Sequence, residues 1–109
     1  MRFTQYEIQV LIEIHDLIQN NFKNHVFIKD ILCKYHIPES TLSQAFKQLF
    51  HKSISQYRLE LCMHYAKTLI EQGWQVKAVT LMMGYTTTGS FSRAFRKIYF
   101  CSPGKWAQL

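Results

Sequence analysis

Two segments of the chain carry hydroxyl and cationic side chains in the same order. Residues 40–53 and 89–102 align at an offset of 49 positions. The identical pairs are Ser43/Ser92, Ala45/Ala94, Phe46/Phe95 and Ser53/Ser102. A cationic residue also recurs at one shared position, as Lys47 and Arg96. Cationic side chains bind phosphate and short polar side chains hydrogen-bond to base edges. The repeat therefore indicates a contact surface that the molecule uses twice.

A metal site is the first alternative to such a contact surface. Cys33 and His36 have the spacing of half a zinc site, and Cys62 lies close to His64. A structural zinc site needs four convergent ligands, usually with thiolate pairs two to four residues apart. We therefore expect no metal site. We expect all three cysteines to fill apolar gaps, because free cysteine behaves as a small hydrophobic side chain.

An enzyme active site is the second alternative to a contact surface. The seven acidic residues form no evident acid/base pair, and none of the five histidines lies beside a well-placed nucleophile. Nothing resembles a phosphate-binding loop. The sequence therefore indicates no enzyme, no cofactor and no evident small-molecule site.

Composition narrows the class of protein. The chain has 109 residues, of which 48% are hydrophobic, so it can build a core. Its formal net charge of +6 favours a polyanionic partner, most often nucleic acid. No run of about 18 apolar residues predicts a membrane span. Three cysteines, an odd and sparse set, indicate a reducing compartment. We expect a cytoplasmic protein with no membrane partner.

Apolar residues at helical spacing predict three helices in the first half of the chain. Thr4 and Glu7 predict a capping box, followed by a helix from about Gln5 to Asn21. Its apolar positions are Ile8, Leu11, Ile14 or His15, and Ile18. A short apolar pattern follows at Ile28, Ile31, Leu32 and Tyr35. After a break at Pro38, a third helix runs from about Glu39 to Phe50. Its buried positions are Leu42, Ala45, Phe46 and Leu49, and its outward positions are Ser40, Thr41, Ser43, Gln44 and Lys47.

The second half repeats this order. A long helix over about 54–72 places Tyr57, Leu61, Tyr65 (or Ala66) and Leu69 on one face, and Gly73 ends it. A short helix with Val76, Val79, Thr80 and Met83 follows. After a break at 84–87, a helix runs from about Thr88 to Tyr99, and Pro103 opens one last turn. The short helices align at an offset of 48 and the long ones at 49, which predicts a one-residue difference between the two breaks.

The predicted fold is all-α, with seven helices. One domain, residues 1–109, contains helix-turn-helix 1 over about 27–51 and helix-turn-helix 2 over about 76–100. A connecting helix over about 54–72 joins these two subdomains. In a helix-turn-helix, a short first helix holds a second, outward-facing helix against DNA.

The chain resembles the DNA-binding domain of the AraC/XylS family of transcription regulators over about residues 8–107. The most specific stretch is 83–106, MGYTTTGSFSRAFRKIYFCSPGKW. The matching residues in it are Gly84, Tyr85, Phe91, Ser92, Arg93, Phe95, Arg96, Ser102, Pro103 and Trp106. The first unit matches more loosely, through Leu42, Ser43, Phe46, Lys47, Ser53 and Tyr57.

The resemblance implies bacterial transcription regulation through sequence-specific binding of double-stranded DNA. Helices three and six would enter adjacent major grooves, and RNA polymerase would be a partner of an activator. Carried over by position, helix three offers Ser40, Thr41, Ser43, Gln44 and Lys47 to DNA. Helix six offers Thr88, Gly89, Ser92, Arg93, Arg96 and Lys97. Arg93 suits guanine and Gln44 suits adenine, whereas Lys47, Arg96 and Lys97 suit phosphates.

The sequence departs from the family pattern at several positions. His51 and Phe100 stand where glycine is usual, so the local turn is expected to differ. Phe27 stands where a capping serine or threonine is common. Gly89 replaces a longer polar side chain that often reads a base.

These departures leave two rival interpretations open. In one, a protein of the same fold binds another regulator rather than DNA. In the other, nucleic acid is bound through charge alone, with little difference between sequences and a strong dependence on salt.

Overall fold

The computed structural model describes residues 3–23 and 28–109, and every regular element within these ranges is an α-helix. The helices are α1 (Gln5–Asn21), α2 (Ile28–Leu32), α3 (Glu39–Phe50), α4 (Ile54–Glu71), α5 (Val76–Met82), α6 (Thr88–Tyr99) and α7 (Pro103–Ala107). The all-α, seven-helix prediction is confirmed. The predicted bounds of α1, α3 and α6 coincide with the observed ones. Phe27 and the side chain of Ile28 lie outside the described parts of the chain.

The chain divides into two compact units, Met1–Arg58 and Leu59–Leu109, referred to below as unit 1 and unit 2. Unit 1 contains α1, α2, α3 and the start of α4. Unit 2 contains the rest of α4 with α5, α6 and α7. Each unit has its own buried apolar core.

α1 begins at the predicted capping box. The Thr4 hydroxyl accepts a hydrogen bond from the Glu7 backbone N–H at 3.1 Å. The Glu7 carboxylate in turn accepts from the Thr4 backbone N–H at 3.4 Å. Two N–H groups that lack intrahelical partners are thereby satisfied at the helix start.

The core of unit 1 combines one stripe of α1 with α2, α3 and the first turn of α4. The buried residues are Val10, Leu11, Ile14, Ile18, Ile31, Leu32, Leu42, Ala45, Phe46 and Ile54. The predicted stripe of α1 is displaced at its start, because Val10 is buried whereas Ile8 is 37% exposed. Leu49 of α3, predicted to be buried, is only half-buried.

An aromatic stack closes the end of α3. The His15 ring lies 4.7 Å from the Phe50 ring and 4.6 Å from the Tyr57 ring, nearly parallel to both. Phe46 and Phe50 are 4.6 Å apart, measured between ring centroids. Offset aromatic pairs at such distances stabilise packing beyond the area they bury. The stack therefore ties α1, α3 and the start of α4 together within unit 1.

The core of unit 2 is built on α4, α5 and α6. Its buried residues are Met63, Ala66, Leu69, Ile70, Val79, Phe91 and Phe95. Thr80, also buried, donates its hydroxyl hydrogen to the Val76 carbonyl at 2.8 Å. Trp106 attaches α7 to this core, with its ring 5.3 Å from Tyr99 and 6.1 Å from Phe95.

The buried face of α4 differs from the predicted one. The prediction placed Tyr57, Leu61 and Tyr65 on the apolar stripe, but all three are half-buried. Leu69, the fourth predicted position, is buried, and Met63, Ala66 and Ile70 are buried with it. Apolar or aromatic side chains lie on most sides of α4. Helical spacing alone could therefore not decide which of two neighbouring faces of this helix is buried. Ala66, which the prediction gave as an alternative to Tyr65, belongs to the observed face.

In unit 2, α4 and α5 each end just before a glycine with positive φ. Gly73 has φ +96° and Gly84 has φ +83°. After α4, the Trp74 N–H donates to the Leu69 carbonyl at 3.1 Å. After α5, the Tyr85 N–H donates to the Thr80 carbonyl at 3.1 Å. Both are Schellman endings, in which a left-handed residue allows the last carbonyls to be satisfied.

Candidate nucleic-acid interface

Each unit contains a short helix followed by a longer one. Residues 33–38 separate α2 from α3, and residues 83–87 separate α5 from α6. The second break is one residue shorter, but α5 has seven residues and α2 has five. The start of α6 therefore follows that of α5 by 12 residues, whereas the start of α3 follows that of α2 by 11, and this one-residue difference accounts for the two sequence offsets. Glu39 and Thr88 are the first helical residues of α3 and α6.

α3 has a buried face and a polar face. Leu42, Ala45 and Phe46 are buried in the core of unit 1. The polar face exposes Ser40, Thr41, Gln44 and Lys47, with Ser43 half-buried at its margin. Five predicted contact residues therefore lie together along one stripe of α3, because positions 40, 43, 44 and 47 recur at helical spacing.

α6 has the same construction with a more basic polar face. Phe91 and Phe95 are buried in unit 2. The polar face exposes Thr88, Gly89, Arg93, Arg96 and Lys97, and Ser92 is half-buried. The six residues predicted on this helix are thus brought together within unit 2, with the cationic groups in its middle and last turns.

The cap of α6 was not predicted from the sequence. The Thr87 hydroxyl accepts a hydrogen bond from the Ser90 backbone N–H at 3.1 Å. The Thr87 and Ser90 hydroxyl oxygens are 2.8 Å apart. Threonine before a helix with a polar residue three positions later is the signal that could have identified this cap. α3 differs, because Pro38 precedes it and supplies no side-chain cap.

α3 and α6 both end on a left-handed residue that is not glycine. His51 has φ +64° and Phe100 has φ +62°. Their N–H groups donate to the Lys47 and Arg96 carbonyls at 2.9 Å. The expected change of the local turn is therefore wrong, since both helices keep the left-handed ending despite the larger side chains. Phe100 is 90% exposed, so burial of its ring does not offset the strain.

The cations of the two polar faces are available to a partner. Among the described residues, no ion pair involves Lys47, Arg93, Arg96 or Lys97. By contrast, the Lys67 ammonium lies 3.9 Å from the Glu71 carboxylate and 5.6 Å from the Tyr99 and Trp106 ring centroids. Unpaired cations on an exposed helix face can neutralise phosphates and release counterions.

The structure also bears on the zinc-like spacing of Cys33 and His36 and on the three cysteines. Within residues 3–23 and 28–109, no three His, Cys, Asp or Glu side chains cluster as a metal site requires. Cys62 and Cys101 are half-buried, whereas Cys33 is exposed. The prediction that Cys33 fills an apolar gap is wrong, because this residue, which directly follows α2, is exposed. No described helix has the length and hydrophobicity to cross a membrane.

Comparison with known proteins places these features in a family. A family model described as a helix-turn-helix domain matches residues 32–108. The chain is 28% identical over 93 residues to the uncharacterized HTH-type transcriptional regulator YtdP of Bacillus subtilis. It is 23% identical over 101 residues to the HTH-type transcriptional activator RhaR of Mannheimia succiniciproducens. These matches cover 84% and 92% of this chain but only 12% and 37% of the two curated relatives.

Solved structures share the fold. The C-terminal domain of AraT, a response regulator from Geobacillus stearothermophilus, matches 99% of this chain and 88% of its own, with a TM-score of 0.80 and 20% identity. An AraC-type transcriptional regulator from Chromobacterium violaceum matches 96% of this chain and 95% of its own, with a TM-score of 0.79 and 23% identity. With the family match over residues 32–108, these likenesses lead to one conclusion: the chain belongs to the AraC family of transcriptional regulators, as a DNA-binding domain of the double helix-turn-helix type.

Proposed function

We propose that the chain binds double-stranded DNA sequence-specifically and thereby regulates transcription in a bacterium. One observation carries the proposal: in each unit a short helix is followed by a longer one whose polar outer face includes at least one exposed cation. The family consists of transcription regulators and is not a class of enzymes. Since bacterial chromosomal DNA lies in the cytoplasm, we expect the domain to act there.

We propose that α3 and α6 enter adjacent major grooves and that residues 1–109 act as one DNA-binding domain. A major groove about 12 Å wide admits an α-helix, so side chains on its outer face reach base edges. Successive grooves on one side of a duplex are about 34 Å apart. Two units of like construction on one chain suit such a repeat.

The proposed roles follow from side-chain chemistry. Arg93 would bond bidentately to guanine and Gln44 to adenine, because their paired donors and acceptors match those bases. Lys47, Arg96 and Lys97 would contact phosphates. The short side chains allow the helix backbone to approach the bases closely: these are Ser40, Thr41, Ser43, Thr88, Gly89 and Ser92.

We propose that RNA polymerase is a further partner when the domain activates a promoter. Support comes from the family and from RhaR, a relative named as a transcriptional activator. The chain spans 37% of the length of that relative.

Selection from a pool of randomised duplexes at about 150 mM salt, a physiological ionic strength, tests the proposal. The unaltered chain is expected to enrich an asymmetric site with two half-sites about one turn, or 10 base pairs, apart. Arg93→Ala is expected to lose the preference within one half-site. Binding without enrichment would favour charge-driven association. Absence of binding would favour a protein partner for the same fold.

A further inference from the structure

The two outward helix faces carry very different charge. α3 contains one acidic and one basic residue, Glu39 and Lys47. α6 contains three basic residues, Arg93, Arg96 and Lys97, and no acidic one. If both helices contact DNA, α6 has the charge to bind phosphates strongly, whereas α3 has almost no net attraction for them.

Glu39 lies on the part of α3 that is proposed to contact DNA. It is the first residue of the helix and is exposed. Ser43 follows it by one turn, so Glu39 lies on the same face of α3 as this predicted contact residue. Among the described residues, neither a hydrogen bond nor an ion pair engages the Glu39 carboxylate. The carboxylate is therefore free to face a ligand.

A carboxylate at a DNA surface acts on both affinity and choice of sequence. Phosphates repel it, so it weakens association with any duplex. It has only acceptor atoms, so it suits the exocyclic amino donor of cytosine better than that of adenine, which lies beside the N7 acceptor. The penalty is offset only where such a donor is present.

We propose that Glu39 is a specificity-determining residue that accepts a hydrogen bond from the exocyclic amino group of a cytosine and disfavours duplexes lacking it. The inference rests on the proposed function, in which α3 enters a major groove. Unit 1 then contributes discrimination, while the cations of α6 in unit 2 contribute most of the charge-driven affinity.

A charge-neutral replacement tests this role. Glu39→Gln keeps the length of the side chain but removes the charge. Glu13→Gln is the matched control, because Glu13 is an exposed carboxylate on α1 whose hydrogen bond from the Tyr35 hydroxyl, at 3.5 Å, an amide oxygen can also accept. Dissociation constants are measured by fluorescence anisotropy on the selected duplex and on a scrambled duplex. Site selection is repeated for both variants, and thermal unfolding confirms that they fold.

Glu39→Gln is expected to bind the scrambled duplex more tightly and to reduce the ratio of specific to non-specific affinity by about five- to tenfold, at the low end for a base contact. Its selected site should lose the preference for cytosine at one position, because an amide carries donors as well as an acceptor and so also suits adenine. Glu13→Gln should retain the preference. Equal discrimination and an unchanged site for the two variants would overturn the role of Glu39, leaving it a stabiliser of the first helical turn. Failure of the unaltered chain to enrich any site would instead contradict the proposed function on which the role rests.

Discussion

Arg93 is the residue whose proposed role is most specific, because only a planar guanidinium matches both acceptors of guanine. Replacing it with lysine preserves the charge but removes the paired donors. Arg93→Lys is therefore expected to retain the salt dependence of binding while losing about 1–3 kcal/mol of discrimination at one base pair. Titrations of matched and mismatched duplexes at several salt concentrations measure both quantities.

Lys97→Gln provides the complementary control, as a neutral variant of a proposed phosphate contact. It should weaken binding to all duplexes alike and reduce the slope of log affinity against log salt by about 1. If Arg93→Lys instead kept its discrimination, the proposed guanine contact would be refuted.

Thr87 is expected to stabilise α6 through its cap. Thr87→Ala removes the hydroxyl that accepts from the Ser90 N–H, so the free energy of unfolding should fall by about 1 kcal/mol. Urea titration followed by circular dichroism measures the loss. Thr86→Ala is the control, because Thr86 is an exposed neighbour outside the cap, and Thr87→Ser should retain most of the stability. Equal effects of the alanine variants at 86 and 87 would show that the cap contributes nothing.

At the scale of the helices, the left-handed ending of α6 offers a simple route to greater stability. Phe100 is strained by about 1–2 kcal/mol, and its exposed ring gains little in return. Phe100→Gly removes this strain, but the greater flexibility of the unfolded chain offsets about 0.5–1 kcal/mol. A net gain of about 0.5–1 kcal/mol is therefore expected in chemical denaturation.

Phe100→Ala separates the two contributions to this effect. Alanine keeps a β-carbon, so it keeps the strain while losing the ring. It should therefore show no comparable gain. If it stabilised unit 2 as much as Phe100→Gly, exposure of the ring rather than backbone strain would be the cause.

The helices also show what could be predicted from the sequence. The bounds of α1 were predictable from its capping box, and those of α3 and α6 from the breaks before them and from regular apolar spacing. The face of α4 was predicted only in part, since apolar side chains lie on most sides of this helix and only tertiary packing selects Met63 and Ile70. The roles of the predicted contact residues remain predictions, because a helix face shows which groups are available and not which base they meet.

At the scale of the whole molecule, both units contain a tyrosine whose ionisation opposes folding. Burial raises the pKa of Tyr99 above its ordinary value of 10.0, and the carboxylates of Glu71 and Glu60 raise it further. Burial raises the pKa of Tyr57 in unit 1, against an opposing effect of Lys52. A raised pKa means that the folded state holds the proton more tightly, so this stabilisation is complete below about pH 10 and is lost as pH rises through the folded pKa.

The chain is therefore expected to become less stable to urea as pH rises above about 10. Tyr99→Phe and Tyr57→Phe cannot ionise, so each should flatten this decline. Unfolding curves from pH 8 to about 11 measure the effect at fixed ionic strength. If the variants and the unaltered chain declined in parallel, tyrosine ionisation would not be the cause.

A hydroxyl-radical footprint of the unaltered chain on its selected duplex tests most directly whether α3 and α6 both contact DNA. We expect two protected stretches whose centres are about 10 base pairs apart. Arg93→Ala should weaken protection of one stretch, and Gln44→Ala that of the other. A single protected stretch that both variants affect equally would contradict the assignment of one groove to each helix.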